Sequence, residues 1–183
     1  MFDTKKDLLK ENLFSLIKKC INKALSYKNI VAKEKNDGSV ITKADIEINS
    51  IIKDKLVSLY PNIPIISEES DLNKYDFLKK IYWLIDPIDG TSSFAKKLDG
   101  YTINIALIKA GVPILGIIAH PPSNTIWFGS EKKAIVFKDN IETKIKVLNF
   151  NKNNLKVILS YNYDYKTKSL VEQLPNAHIA YIS

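Results

Sequence analysis

The segment Trp83–Phe94 holds the residues best suited to chemistry, because an apolar run there ends in two carboxylates, Asp86 and Asp89. Carboxylate oxygens are among the ligands that Mg²⁺ prefers in proteins. Pro87 keeps Asp86 in an extended backbone conformation, and Gly90 permits a tight turn and the close approach of a ligand to the backbone. The segment therefore predicts a loop whose geometry is preset.

The residues after this turn favour the binding of an anion. Gly90, Thr91 and Ser92 open a predicted helix, and the free N–H groups and dipole at a helix start attract a phosphate group. Carboxylates beside a phosphate repel it unless divalent cations lie between them. The alternative is that Asp86 and Asp89 only cap a helix and form a turn, as Asp-Pro and Asp-Gly pairs usually do.

Further acidic residues favour the metal interpretation over the turn. Glu68 and Glu69 follow the apolar run 63–66, and Asp45 lies in the first turn of another predicted helix. Asp45 also has a purely structural interpretation, as the far half of a capping box with Thr42. Together these positions predict several carboxylates around one phosphate site.

Two amphipathic helices precede a strand-rich stretch. Apolar residues recur at three- and four-residue steps over residues 5–27 and again over 48–59, which predicts two helices with one buried face each. Short apolar runs bounded by polar residues predict strands at 63–66, 81–85, 102–108, 112–119, 125–128, 134–137 and 155–159, the third and fourth of these (102–108 and 112–119) forming a hairpin. We therefore expect a layered α+β sandwich, with a metal- and phosphate-binding subdomain at residues 1–150 and the start of an α/β subdomain at 151–183.

Charge and composition argue against several other functional classes. The net charge is +7, but all 27 basic residues are lysines spread along the chain, so we expect no nucleic-acid partner. No apolar run approaches the length of a membrane span, and the N-terminus has no export signal. The lone cysteine, Cys20, fits a stripe of buried helix residues, and a cytoplasmic location is expected. His120 and His178 belong to no ligand-spaced cluster.

The pattern in Trp83–Phe94 resembles the signature of the inositol monophosphatase superfamily: an aromatic and an aliphatic residue, Asp-Pro-aliphatic-Asp-Gly-Thr, two residues and Phe. Upstream, residues 42–45 (Thr-Lys-Ala-Asp) and 67–69 (Ser-Glu-Glu) resemble this family in order and approximate spacing. Downstream, 101–108 (Tyr-Thr-Ile-Asn-Ile-Ala-Leu-Ile) and 113–116 (Pro-Ile-Leu-Gly) resemble the branch that hydrolyses 3'(2'),5'-bisphosphate nucleotides. The resemblance implies the family's sandwich fold and a phosphatase activity.

The resemblance also implies metal ligands. Glu68, Asp86 and the backbone carbonyl of Ile88 would hold one Mg²⁺ ion, and Asp86 and Asp89 would share in a second, of two or three ions in all. Glu69 would support these ligands without binding the metal. Glu68, Ile88 and Asp89 would also contribute to substrate binding.

The implied reaction uses water and forms no covalent phosphoenzyme. Thr91, oriented by Asp45, would help to deprotonate a metal-bound water that attacks phosphorus in line. The backbone of Gly90, Thr91 and Ser92 would grip the phosphate. The implied substrate is a small phosphorylated molecule such as 3'-phosphoadenosine 5'-phosphate, with inositol 1-phosphate as the alternative.

In one respect the chain departs from this family. Family members contain a Trp-Asp pair later in the chain, whereas Trp83 and Trp127 are followed by Leu84 and Phe128. We therefore expect a C-terminally truncated chain with an incomplete second subdomain. Three hypotheses stay open: a phosphatase completed by a second polypeptide or a homodimer partner, a non-catalytic remnant that only binds metal or phosphate, and a basic nucleic-acid binder.

Overall fold

A computed structural model describes residues 3–35, 38–69, 81–147, 149, 155–160, 165–174 and 177–182. Two compact units make up the chain, residues 1–145 and residues 146–183. The elements of the first unit are, in chain order, α1 (Asp3–Leu25), β1 (Ala32–Glu34), β2 (Val40–Thr42), α2 (Lys43–Leu59), β3 (Ile65–Ser67), β4 (Ile81–Asp89), α3 (Thr91–Ala95), β5 (Thr102–Lys109), β6 (Val112–His120), a 3-10 helix (Pro121–Ser123), β7 (Thr125–Ser130), β8 (Lys133–Lys138) and β9 (Ile141–Lys144). The predicted mixture of helices and strands is confirmed.

Strands β3 to β9 form one seven-stranded sheet in chain order. β3 and β4 run parallel, and every later neighbouring pair is antiparallel. Antiparallel neighbours need only a tight turn between them, so the short connections after β5 produce a simple meander, whereas residues 90–101, which include α3, join β4 to β5. The predicted hairpin is confirmed: Ala110 and Gly111 join β5 to β6, and both have positive φ angles (50° and 77°) of the kind that two-residue hairpin turns use.

Helices α1 and α2 pack on one face of this sheet. Alternate residues of the central strands supply the sheet side of the core, among them Ile85, Ile105 and Ile117, each at most 2% exposed. The helix α2 contributes Ile48 and Ile52, which are fully buried one turn apart. A sheet with helices on one face is the layered arrangement that the apolar spacing predicts.

The second unit contains β10 (Leu155–Ser160), α4 (Tyr165–Glu172) and β11 (Ala177–Ile182). β10 and β11 pair in parallel, with Leu155 opposite Ala177 and Ser160 opposite Ile182. Parallel neighbours require a crossover connection, and α4 lies in it. The unit is therefore a β-α-β arrangement.

The lone cysteine has a packing role in this fold. Cys20 is fully buried in the core, where burial raises the pKa of its thiol to about 12. A thiol that stays protonated is a packing group and not a nucleophile, as its place in the helix stripe predicts.

Within the described ranges, no helix combines the length and the apolar character needed to cross a membrane.

Candidate active site

A β-bulge near the end of β4 positions the acidic residues. Asp86 pairs with Asn104 of β5 and Asp89 pairs with Thr102, so two residues of β4 face one residue of β5 between these pairs. Pro87 lies in the bulge, where its missing N–H costs no ladder hydrogen bond. A bulge bends a strand and redirects its side chains. The side chains at the end of β4 therefore do not follow the regular alternation between the two faces of the sheet.

Gly90 makes the turn from β4 into α3. Its φ angle of 88° lies in the left-handed region, and a Cβ atom on it would lie 2.4 Å from the backbone oxygen of Gly100. Any side chain would clash with that backbone, so only glycine fits. The turn brings Thr91 to the first position of α3, beside the end of β4.

The carboxylate of Asp45 makes a different contact with each oxygen. Oδ2 accepts hydrogen bonds from the Thr42 N–H at 2.8 Å and the Thr42 hydroxyl at 2.5 Å, within a capping box at the start of α2. Oδ1 accepts a hydrogen bond from the Thr91 hydroxyl at 3.0 Å. The capping box and the contact with Thr91, which the sequence offers as alternatives, are therefore both present in one buried side chain.

The Thr91 hydroxyl lies between two acceptors. Its Oγ1 is 3.0 Å from Asp45 Oδ1 and 2.9 Å from the carbonyl oxygen of Ile88. A hydroxyl has one proton and two lone pairs, so it donates to one acceptor at a time and keeps a lone pair for another donor, such as a water. Asp45 thus lies within hydrogen-bonding distance of Thr91, while the orienting and catalytic roles of the pair stay predictions.

Glu68 and Asp89 are close enough to Asp86 to act on it electrostatically. The Glu68 N–H donates to the Ile85 carbonyl at 3.2 Å, which holds the end of β3 beside β4. The pKa of Asp86 is raised to about 7, first by burial and then by the negative charges of Glu68 and Asp89. A carboxyl group perturbed in this way beside other carboxylates is typical of a functional site.

The donor atoms fit a hard divalent cation such as Mg²⁺. Asp86 Oδ1 is buried without a hydrogen-bond partner among the described residues, so a cation would satisfy an unpaired oxygen. Glu68 and Asp86 line one hollow of about 440 Å³. In the part of the chain that is described, no three His, Cys, Asp or Glu side chains converge closely enough to hold a metal ion unaided. Mg²⁺ tolerates this, because it keeps several waters and binds through one or two carboxylates plus substrate phosphate.

The predicted backbone ligands lie next to these side chains. The side chain of Ile88 is 1% exposed and belongs to the core, so its carbonyl oxygen is the group available for binding. Ser92 is in the first turn of α3, where backbone N–H groups have no partner within the helix. Metal binding by Ile88 and phosphate binding by Gly90, Thr91 and Ser92 stay predictions.

Lys35 contacts Glu68 and Glu69, which the sequence does not predict. Its Nζ lies 2.8 Å from Glu69 Oε1 and 3.8 Å from Glu68 Oε1. Glu69 therefore balances a positive charge beside Glu68, which fits its predicted supporting role. Lysines are so frequent in this chain that composition and spacing do not distinguish this one.

Asn104 is a second residue that sequence reasoning missed. Its Nδ2 donates a hydrogen bond to Asp89 Oδ2 at 3.3 Å, and Asn104 lines the same hollow as Glu68 and Asp86. The only local signal is an amide side chain within the otherwise apolar run of β5. That signal alone does not point to a neighbouring strand.

Comparison with known protein families decides where this chain belongs. The sequence model of the inositol monophosphatase family matches residues 7–179, nearly the whole chain. The chain belongs to the inositol monophosphatase family. The resemblance identified from the segment Trp83–Phe94 is thereby confirmed.

Two bacterial family members named 3'(2'),5'-bisphosphate nucleotidase CysQ are similar to this chain. The protein from Escherichia coli (strain K12) is 37% identical over 142 residues, which cover 76% of this chain and 57% of the relative. The protein from Buchnera aphidicola (subspecies Acyrthosiphon pisum, strain APS) is 42% identical over 129 residues, which cover 62% and 48%. The predicted likeness to the bisphosphate nucleotidase branch is confirmed, and the chain spans about half the length of these curated relatives.

Solved structures of inositol monophosphatase family members share the fold. An IMPase from Thermotoga maritima superposes with a TM-score of 0.70 at 25% identity, over 96% of this chain and 68% of that chain. CysQ from Bacteroides thetaiotaomicron superposes with a TM-score of 0.67 at 22% identity, over 88% and 68%. The predicted fold class, an α+β sandwich of the inositol monophosphatase type, is confirmed.

Proposed function

We propose that this chain contains the hydrolytic site of a Mg²⁺-dependent phosphatase that removes a phosphate group from 3'(2'),5'-bisphosphate nucleotides. The observation that supports this most is the 3.0 Å hydrogen bond from Thr91 Oγ1 to Asp45 Oδ1, which lies just after the end of the strand that contains Asp86 and Asp89. The names of the CysQ relatives, at 37% and 42% identity, support the substrate class.

In this proposal the carboxylates gather the metal ions. Glu68, Asp86 and the Ile88 carbonyl would hold one Mg²⁺ ion, and Asp86 and Asp89 would share in a second, of two or three in all. When bound, the ions lower the pKa of a coordinated water and stabilise the entering and leaving oxygens. The raised pKa of Asp86 supports this assignment, because a nearby cation favours the charged carboxylate and relieves the repulsion.

Thr91 and Asp45 handle the proton of the attacking water. The Thr91 hydroxyl accepts a hydrogen bond from that water through a lone pair and donates its own proton toward Asp45 Oδ1. Thr42 holds Asp45 Oδ2, so the carboxylate keeps its orientation as the proton arrives. The water then attacks phosphorus on the side opposite the leaving oxygen, so that the new P–O bond forms as the ester P–O bond breaks and the leaving alkoxide takes a proton from water.

The turn into α3 binds the transferred phosphate. The backbone N–H groups of Gly90, Thr91 and Ser92 donate to its oxygens, because groups at a helix start have no partner within the helix. Glu68, Ile88 and Asp89 would contribute to substrate binding beside this turn.

Phosphate release tests this proposal. The chain is incubated with 3'-phosphoadenosine 5'-phosphate or with inositol 1-phosphate, with and without Mg²⁺, next to the variants Asp86→Asn and Asp54→Asn. Asp54 is an exposed residue of α2 that accepts a hydrogen bond from Ser50, so its variant is a matched control for the same chemical change. We expect Mg²⁺-dependent release from the bisphosphate nucleotide by the unaltered chain and by Asp54→Asn, and none by Asp86→Asn.

Each alternative predicts a different result. Preference for inositol 1-phosphate would replace the substrate class but keep the reaction. Release no greater than that of Asp86→Asn would favour the non-catalytic remnant, and a rise in Tm with Mg²⁺ would then measure its residual metal binding. Sedimentation velocity on the same samples tests whether the chain forms a homodimer, one of the two ways in which a partner could complete the site.

A further inference from the structure

Asn104 contacts the proposed metal ligands from the neighbouring strand. It lies on β5 directly opposite Asp86, and its Nδ2 donates a hydrogen bond to Asp89 Oδ2 at 3.3 Å. The amide must have this orientation, because a carboxylate accepts hydrogen bonds and does not donate them. The donor end of the side chain is therefore engaged, and its oxygen is left for another contact.

That oxygen needs a donor that the described residues do not supply. Asn104 Oδ1 is buried without a hydrogen-bond partner among them, and so is Oδ1 of Asp86, the residue paired with it. Buried acceptors without a donor are rare, because each has given up its hydrogen bonds to water. Both residues line the hollow that also includes Glu68. A carboxylate and an amide oxygen in one hollow suit a hydrated cation, which the first can bind directly and the second through a water.

We propose that Asn104 is a positioning residue of the metal site. Its Nδ2 orients the carboxylate of Asp89, and its Oδ1 accepts a hydrogen bond from a water that belongs to the shell of the cation at Asp86. This inference rests on the proposed function, because it requires that the site bind Mg²⁺. Side chains that hold metal ligands or their waters from outside the shell typically change metal affinity about 10- to 100-fold when they are removed.

The variant Asn104→Leu separates this role from a merely structural one. Leucine keeps the approximate size of the side chain and removes both polar atoms. We expect the Kd for Mg²⁺, measured by isothermal titration calorimetry, to rise about 10- to 100-fold. The Tm of the metal-free chain stays the same or rises, because a buried unpaired acceptor has gone. A structural amide would show the reverse, a lower Tm with an unchanged Kd.

Two further variants complete the test. Asn22→Leu makes the same substitution on the exposed surface of α1, and its Kd should equal that of the unaltered chain. Asn104→Ser serves if the leucine variant does not fold, because its shorter side chain cannot maintain the contact with Asp89. An unchanged Kd in a folded Asn104 variant overturns the inference and leaves the proposed function standing. Failure of the unaltered chain to bind Mg²⁺ overturns both.

Discussion

Asp45 Oδ1 lies 3.0 Å from Thr91 Oγ1, although 46 positions of the chain separate the two residues. The contact joins the start of α2 to the start of α3. Because the other oxygen of Asp45 is held by Thr42, the capping box of α2 also fixes the group that orients Thr91. Helix capping and the candidate active site are thus coupled through one carboxylate.

The hydroxyl of Thr91 can be tested by removing it and then restoring it. Thr91→Val keeps the shape of the side chain without the hydroxyl, and we expect phosphate release to fall about 100- to 10,000-fold, the range for a lost proton-transfer group. Thr91→Ser restores the hydroxyl and should recover most of the rate. Equal activity in the valine variant and the unaltered chain would remove Thr91 from the mechanism.

The two contacts of Asp45 can be separated by a pair of variants. Thr42→Ala removes the capping hydroxyl but keeps the Thr42 N–H that also holds Asp45 Oδ2, so it should lower the free energy of unfolding by about 1 kcal/mol while most phosphate release remains. Asp45→Asn should lower phosphate release about 100-fold or more, because an amide cannot accept the proton from Thr91. Urea denaturation and the release assay are run on both variants, and a matching loss of activity in Thr42→Ala would show that the two roles are not separable.

The substitution Asp86→Asn should raise the Tm of the metal-free chain at pH 8 and reduce the rise in Tm that Mg²⁺ causes. In the metal-free chain the pKa of Asp86, about 7, exceeds its ordinary value of 3.8, so the stability associated with this group is present below pH 3.8 and is lost as the pH rises to 7. The asparagine variant avoids that loss and should have the higher Tm at pH 8, while the two chains melt alike near pH 3.8.

Adding Mg²⁺ at pH 8 supplies the contrasting measurement. Mg²⁺ should raise the Tm of the unaltered chain, since a ligand that binds only the folded state stabilises it. The asparagine variant should show little of this rise, because it lacks the charged oxygen shared by the proposed ions. An equal rise in both chains would exclude Asp86 as a metal ligand.

Gly90→Ala should destabilise the fold more than Gly111→Ala. Both glycines have positive φ angles, 88° and 77°, but a Cβ atom would meet the Gly100 oxygen at 2.4 Å only at Gly90, whereas Gly111 has no atom within 4 Å of that position. Gly111→Ala therefore measures the backbone strain alone, about 1 kcal/mol, and Gly90→Ala adds the clash. Similar free energies of unfolding in urea would mean that the turn into α3 can relax.

Much of the local structure follows from neighbouring residues and was predictable. The capping box needs only Thr42 and Asp45, three positions apart. The strand at 81–85 was also predicted, but the sequence indicated a loop from Asp86 onward, whereas β4 continues to Asp89 through the bulge at Pro87. The alternation of apolar residues predicts β5, β6 and the hairpin between them. These features depend on interactions within a few residues, which the order of side chains states directly.

The sequence by itself determined the family, the fold class and the segment that contains the candidate site, because Asp86, Asp89, Gly90 and Thr91 lie in one short motif. Only the tertiary structure decided that Thr91 forms a hydrogen bond with Asp45, that Asn104 forms one with Asp89, and that the pKa of Asp86 rises to about 7. The physical reason is that these properties arise between separate strands and helices. They depend on sheet register and on burial, and neither quantity belongs to any one segment of the chain.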